Sequence, residues 1–205
     1  MGKMDEMILV AKRKEVFDNE ALTFQGVSSD DTAIKEIMKN ISNHYKVMRR
    51  GDAEENSEFK QPIPYVVIKR GNELFLYERL KGAGESRLHN QLSLGFGGHM
   101  NETDGESFKD VLYENTYREL EEELEIEGLE TAELKPLGLI NDDENEVGTV
   151  HIGILYAMEL PETAAVSVKE TDQISGRWIK IAELENIYDR LETWSQFVAK
   201  LLNKM

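Results

Sequence analysis

Residues 97–126 read GGHMNETDGESFKDVLYENTYRELEEELEI, and the fold turns on how this stretch is read. A glycine pair opens it, a polar turn ends in Gly105-Glu106-Ser107, and the remainder reads as one helix. Between Glu102 and Glu125 ten acidic residues stand against two basic ones, Lys109 and Arg118. Like charges crowded along a helix repel, so the crowding needs a counterweight, and a divalent cation supplies one. At about 100° per residue, Tyr113, Tyr117, Leu120 and Leu124 share a face and are expected to meet a core. Glu119, Glu122 and Glu123 fall in the adjacent sector, where neighbours at i, i+3 and i+4 converge. Hard cations such as Mg²⁺ take oxygen ligands and share the ion with substrate phosphates. The plain alternative is a solvated acidic face; the glycine turn upstream tips the reading toward a site.

The order glycine, turn glutamate, then Arg118-Glu119-Leu120-Glu121-Glu122-Glu123 resembles the Nudix box, the signature of hydrolases acting on a nucleoside diphosphate linked to another group. The resemblance implies that Glu119, Glu122 and Glu123 are metal ligands, that the Gly97 carbonyl adds another, and that Arg118 orients the helix carboxylates. It implies Mg²⁺ or Mn²⁺ as cofactor, and an α+β fold: a Nudix-type α/β/α sandwich with a mixed sheet. Both intervals of the box are longer than the family's. Seven residues separate Gly98 from Glu106, and eleven separate Glu106 from Arg118. The second excess is about one helical turn, so the helix is expected to begin a turn early with its Arg-Glu-x-x-Glu-Glu segment unmoved. Either Glu106 or Asp110 then fills the first glutamate position. Glu125 replaces a small residue, and without glycine as a stop the helix is expected to run on.

A chain of 205 residues suits one domain with an extension, or two small ones. No apolar run approaches the ~20 residues that span a bilayer, and residues 1–15 lack the features of a signal peptide. With no cysteine there is no disulfide framework or thiolate site. A cytoplasmic location is expected. The net charge of −16 argues against nucleic acid or an anionic membrane as partner. It leaves room for a small phosphorylated substrate neutralised by metal and local cations.

Residues 7–11 and 22–27 read as strands. Ser28, Ser29, Asp30 and Asp31 offer caps for a helix over 33–41, with Ile34, Ile37, Met38 and Ile41 at helical spacing. Residues 43–59 are polar and read as a connection, with a domain boundary near residue 60. Residues 1–59 are thus an N-terminal α/β extension, expected to pack on the core or form a homodimer surface. Residues 60–190 form the hydrolase domain, and 191–205 a C-terminal helix packed on it.

Residues 64–68 (PYVVI) and 73–77 (ELFLY), joined by KRGN, read as a hairpin. A basic glycine-bearing loop follows, with Arg87 the foremost phosphate-binding candidate and Arg79, Lys81 and His89 behind it. The bland alternative is surface charge offsetting the acidic box. His99 is expected to fix its loop rather than bind metal, and no zinc-site spacing is visible. Residues 60–98, with KQPIPYVV and SLGFGGH, resemble a MutT-like phosphoesterase branch of unassigned substrate. Beyond the helix, 132–140, 148–157 and 177–181 read as strands and 166–176 as a loop. A last helix spans 194–202, with Phe197, Leu201 and Leu202 inward. By resemblance, an acid in the loop before the Trp178 strand serves as general base or further ligand. Glu170 and Asp172 fit by position; Glu144 and Glu146 are outer candidates.

The expected activity is a metal-dependent pyrophosphohydrolase acting on a nucleoside diphosphate-linked or related small phosphorylated substrate. One rival is a catalytically silent Nudix-like nucleotide-binding or regulatory module, which the full set of helix glutamates disfavours. The other is an isopentenyl diphosphate isomerase-like enzyme, which uses a cysteine this chain lacks.

Overall fold

A computed structural model describes residues 2–79, 91–129, 132–169, 171 and 174–203. In chain order the strands are β1 (Met7–Lys12), β2 (Gly26–Ser28), β3 (Lys46–Arg49), β4 (Phe59–Arg70), β5 (Glu73–Arg79) and β6 (Leu92–Ser93). They continue as β7 (Gly95–Phe96), β8 (Leu124–Ile126), β9 (Glu133–Asn141), β10 (His151–Glu159), β11 (Val166–Val168) and β12 (Ile174–Lys180). The helices are α1 (Arg13–Val16), α2 (Asp31–His44), α3 (Arg50–Glu54), α4 (Phe108–Glu123), α5 (Glu146–Val150), α6 (Leu184–Ile187) and α7 (Thr193–Leu202). The main sheet is ordered β12-β5-β4-β10-β9-β2, and β11 and β8 form a separate pair. This mixed sheet with helices is the expected α+β fold.

The described residues group into two compact units. The first gathers Met1–Tyr65, Gly97–Tyr117 and Leu137–Leu155. Its α2 starts at the expected cap: the Asp30 carboxylate accepts from Ala33 N at 2.7 Å, and Ile37 and Ile41, one turn apart, are buried. Strand β2 is shorter than the sequence predicted, beginning only at Gly26. The polar stretch 43–59 is not a plain connection. It holds β3, paired antiparallel with β1, and the helix α3. The buried strand β1 needs a partner for its backbone groups, and a polar sequence can supply one.

Lys60, fully buried in β4, donates to Asp143 Oδ1 (3.0 Å), Gly148 O (3.0 Å) and His151 O (3.2 Å). Arg13 grips the same Asp143 at 2.6 and 2.8 Å. Burial pushes the Lys60 ammonium down to about 8, against the pull of Asp143. The predicted strand over 148–157 starts later, at His151. Asn145 Oδ1 accepts from Gly148 N at 2.8 Å and caps α5, which takes the first residues of that run.

The second unit gathers Val66–Phe96, Arg118–Pro136 and Tyr156–Met205. The hairpin is as read, with Lys69 opposite Leu74 and Gly71 at φ 49° in the turn. The predicted loop 166–176 contains β11 and the start of β12. In α7 the buried residues are Ser195, Val198 and Ala199, whereas Phe197, Leu201 and Leu202 are half-buried. Ser195 Oγ accepts from Leu94 N at 2.7 Å, so the small face, not the bulky one, lies inward.

Candidate active site

Helix α4 carries the expected acidic cluster, and the predicted buried face holds in part: Leu120 and Leu124 are buried, the two tyrosines are not. Phe108, Val111, Leu112, Asn115, Thr116 and Leu120 are buried; Tyr113 is 56% exposed and Tyr117 half-buried. An apolar count missed this because two of the inward residues are polar and satisfied. Thr116 Oγ1 donates to Leu112 O at 2.6 Å. Asn115 clamps the glycine-rich segment: its Oδ1 accepts from Asn101 N at 2.8 Å and its Nδ2 donates to Asn101 O at 2.9 Å.

The helix opens on a reciprocal cap. Ser107 N donates to Asp110 Oδ2 at 3.1 Å, and Asp110 N donates to Ser107 Oγ at 3.3 Å. Asp110 is therefore engaged in starting the helix, while Glu106 stands just before it, exposed. At the other end the helix does not run on through Glu125 but stops at Glu123. Leu124 pairs opposite Val168 in the β8–β11 ladder. Lys169 N donates to Glu123 O at 2.9 Å and its ammonium to Glu121 O, satisfying terminal carbonyls and placing positive charge at the negative end of the helix.

Within the last turns, Arg118 Nη2 lies 2.7 Å from Glu119 Oε1 and Nη1 lies 3.1 Å from Glu122 Oε1. Burial opposes the Arg118 charge, but Glu119 and Glu122 hold the guanidinium above its ordinary value. The Glu119 side chain is 13% exposed and that of Glu122 is 59% exposed. Glu123 is half-buried, with its Oε2 out of solvent. Three carboxylates within five residues are an all-oxygen donor set, which suits a hard divalent cation.

Gly97 belongs to the first unit, just after β7. It sits at φ 153°, and a Cβ there would overlap the carbonyl oxygen of Pro64. Sterics alone thus require glycine. Arg79 ends β5, opposite Ile174. Arg87, Lys81 and His89, like the general-base candidates Glu170 and Asp172, lie outside the described residues. Glu144 and Glu146 are exposed, in the turn before α5 and in its first turn.

The sequence reading missed one constellation. Glu54 at the end of α3, His99 after the glycine pair and His151 at the start of β10 bring ligand atoms within 4.8 Å of one another. Burial pushes the His151 ring down to about 4. Burial opposes ionisation of Glu54, but the hydrogen bond from His99 and the nearby positive charges hold it at about 2. Glu54 lay in a presumed connection and His151 inside a presumed strand. The adjacency of His99 to the glycine pair was the one signal available.

The chain belongs to the Nudix hydrolase family. Tm1382, a candidate Nudix hydrolase of known structure, is 32% identical with a TM-score of 0.81, over 98% of this chain and 100% of that one. Protein YmaB of Bacillus subtilis (strain 168) is 64% identical, over 98% of this chain and 100% of its own length. The Nudix domain of Shewanella oneidensis NrtR, complexed with ADP ribose, shares the fold at 14% identity and TM-score 0.52, over 71% of this chain and 87% of that one. No family model matches the sequence. Among the described residues, no helix is long and apolar enough to cross a membrane.

Proposed function

We propose that this chain is a metal-dependent pyrophosphohydrolase that cleaves a phosphoanhydride bond in a nucleoside diphosphate-linked or related small phosphorylated substrate. The observation that carries the reading is Arg118 joined to both Glu119 and Glu122 on one helix of a Nudix family member. Glu119, Glu122 and Glu123 would hold Mg²⁺ or Mn²⁺. Such an ion, when bound, neutralises phosphate charge and lowers the pKa of water.

The chain's own residues do the remaining work. Arg118 holds Glu119 and Glu122 in place before substrate arrives, so little reorganisation is left for the reaction. Arg87, with Arg79 and His89, would grip the departing phosphate. Glu170, or Asp172, would take the proton of the attacking water. Residues 60–190 would carry this chemistry in the cytoplasm, with residues 1–59 as an extension or homodimer surface and 191–205 as a terminal helix. No nucleic acid or membrane partner enters the scheme.

The test is a panel of ADP-ribose, nucleoside diphosphate sugars, dinucleotide polyphosphates and nucleoside triphosphates, assayed with Mg²⁺, with Mn²⁺ and with chelator. Release of phosphate or nucleoside monophosphate that chelator abolishes is expected. Binding without turnover across the panel, or full turnover in chelator, would overturn the proposal.

A further inference from the structure

We infer that Glu54, His99 and His151 form a second metal site, selective for a borderline divalent ion of the Zn²⁺ type. All three residues belong to the first unit, and none is among the helix carboxylates.

Geometry is the first support. His151 Nε2 lies 3.2 Å from His99 Nε2. Glu54 Oε1 lies 3.4 Å from His99 Nε2 and 3.9 Å from His151 Nε2. A tetrahedral ion with bonds of about 2.0–2.1 Å separates its donor atoms by about 3.3 Å. The three atoms already stand near the corners of such a site.

Proton bookkeeping is the second. His151 Nδ1 meets Val147 O at 2.6 Å, so its hydrogen is on that nitrogen and Nε2 presents a lone pair. Metal-bound histidines are commonly held in this way by a carbonyl behind the ring. Gln61, fully buried, places Oε1 2.7 Å from His99 Nε2, while its Nε2 has no hydrogen-bond partner. With Gln61 so oriented, one His99 proton faces three acceptors: Gln61 Oε1, Glu54 Oε1 and His151 Nε2. With the amide turned over, the two imidazole lone pairs face each other with no proton between them. Either way His151 Nε2 and Glu54 Oε1 remain as donor atoms beside His99.

Local charge agrees. Glu54 also lies 3.5 Å from Arg50 Nε, but Glu6 pairs with Arg50 at 3.3 Å. Two carboxylates, Glu54 and Glu6, thus share Arg50, and the nearby Lys60 ammonium is taken up by Asp143 at 3.0 Å. Two imidazoles and one carboxylate are a donor set of catalytic zinc sites, which keep a fourth position open, and imidazole selects against Mg²⁺. The site would join α3, the segment after the glycine pair and the start of β10.

The experiment uses the full chain, stripped of metal and titrated with Co²⁺ and Zn²⁺. One equivalent of Co²⁺ with four-coordinate d–d bands, displaced by Zn²⁺, is expected, and X-ray absorption of the Zn²⁺ form should show two imidazole ligands. Glu54→Gln and His99→Gln should each weaken Zn²⁺ binding by more than about 10-fold, since even outer partners act on that scale. A Zn²⁺ form without two imidazoles, or a folded Glu54→Gln or His99→Gln protein that binds like wild type, would overturn the inference. The absorption measurement needs no variant, so it decides the matter even if a substitution prevents folding. None of these readouts involves hydrolysis, so failure here leaves the phosphoanhydride proposal untouched.

Discussion

Arg118 sits 2.7 Å from Glu119, its neighbour in the chain, and reaches Glu122 one turn on at 3.1 Å. A single guanidinium therefore spaces two of the three carboxylates proposed to hold the catalytic ion. Its side chain is 33% exposed, so its removal should disturb the site more than the fold.

Arg118→Ala is expected to lower turnover by about 10- to 100-fold, the scale on which partners that orient metal ligands act. The Mg²⁺ concentration giving half-maximal rate should rise. Steady-state assays at several Mg²⁺ concentrations test this, and an unchanged Mg²⁺ dependence would count against the orienting role.

Asn115→Ala should destabilise the protein by about 2–4 kcal/mol. It removes the bonds to Asn101 N and O and to Val111 O from a fully buried position. Urea unfolding measures the loss. A midpoint equal to wild type would show that the Asn101 segment is held by other contacts.

Asp143 joins Arg13, Lys60 and Asn141. Burial opposes its ionisation, but hydrogen bonds from Arg13, Asn141 and Lys60 hold its carboxyl well below the ordinary range. A carboxyl depressed in the fold stabilises above its unfolded value, 3.8, and that contribution fades as pH falls below it. Asp143→Asn should therefore cost about 2 kcal/mol at pH 7. The figure is lower than for a fully buried pair because the side chain is 31% exposed. In urea titrations the gap from wild type should narrow below about pH 4; a gap constant with pH would exclude this role.

The legible parts were those where chemistry or a cap fixes residue type at a set spacing. Asp30 before α2 and Gly71 in the hairpin are of this kind, and the helix that carries Arg118 and the three glutamates was read from the same stretch. Where partners distant in sequence decide, the pattern misled. Leu124 and Ile126 continue a helical sequence, yet pairing with β11 and the Lys169 cap on α4 draw them into a strand. Residues 148–150 read as strand, but the Asn145 cap turns them helical. Glu54 joins His99 and His151 only through folding, because segments far apart in the chain supply the three residues.

Glu122→Gln tests the helix carboxylates most directly, because Glu122 is 59% exposed and the change preserves shape. Turnover of whichever diphosphate the wild type cleaves in Mg²⁺ should fall by about 10²- to 10³-fold, the scale of losing one group that stabilises transition-state charge. The unfolding midpoint should be unchanged. Wild-type turnover in this variant would mean that these carboxylates do not hold the catalytic ion.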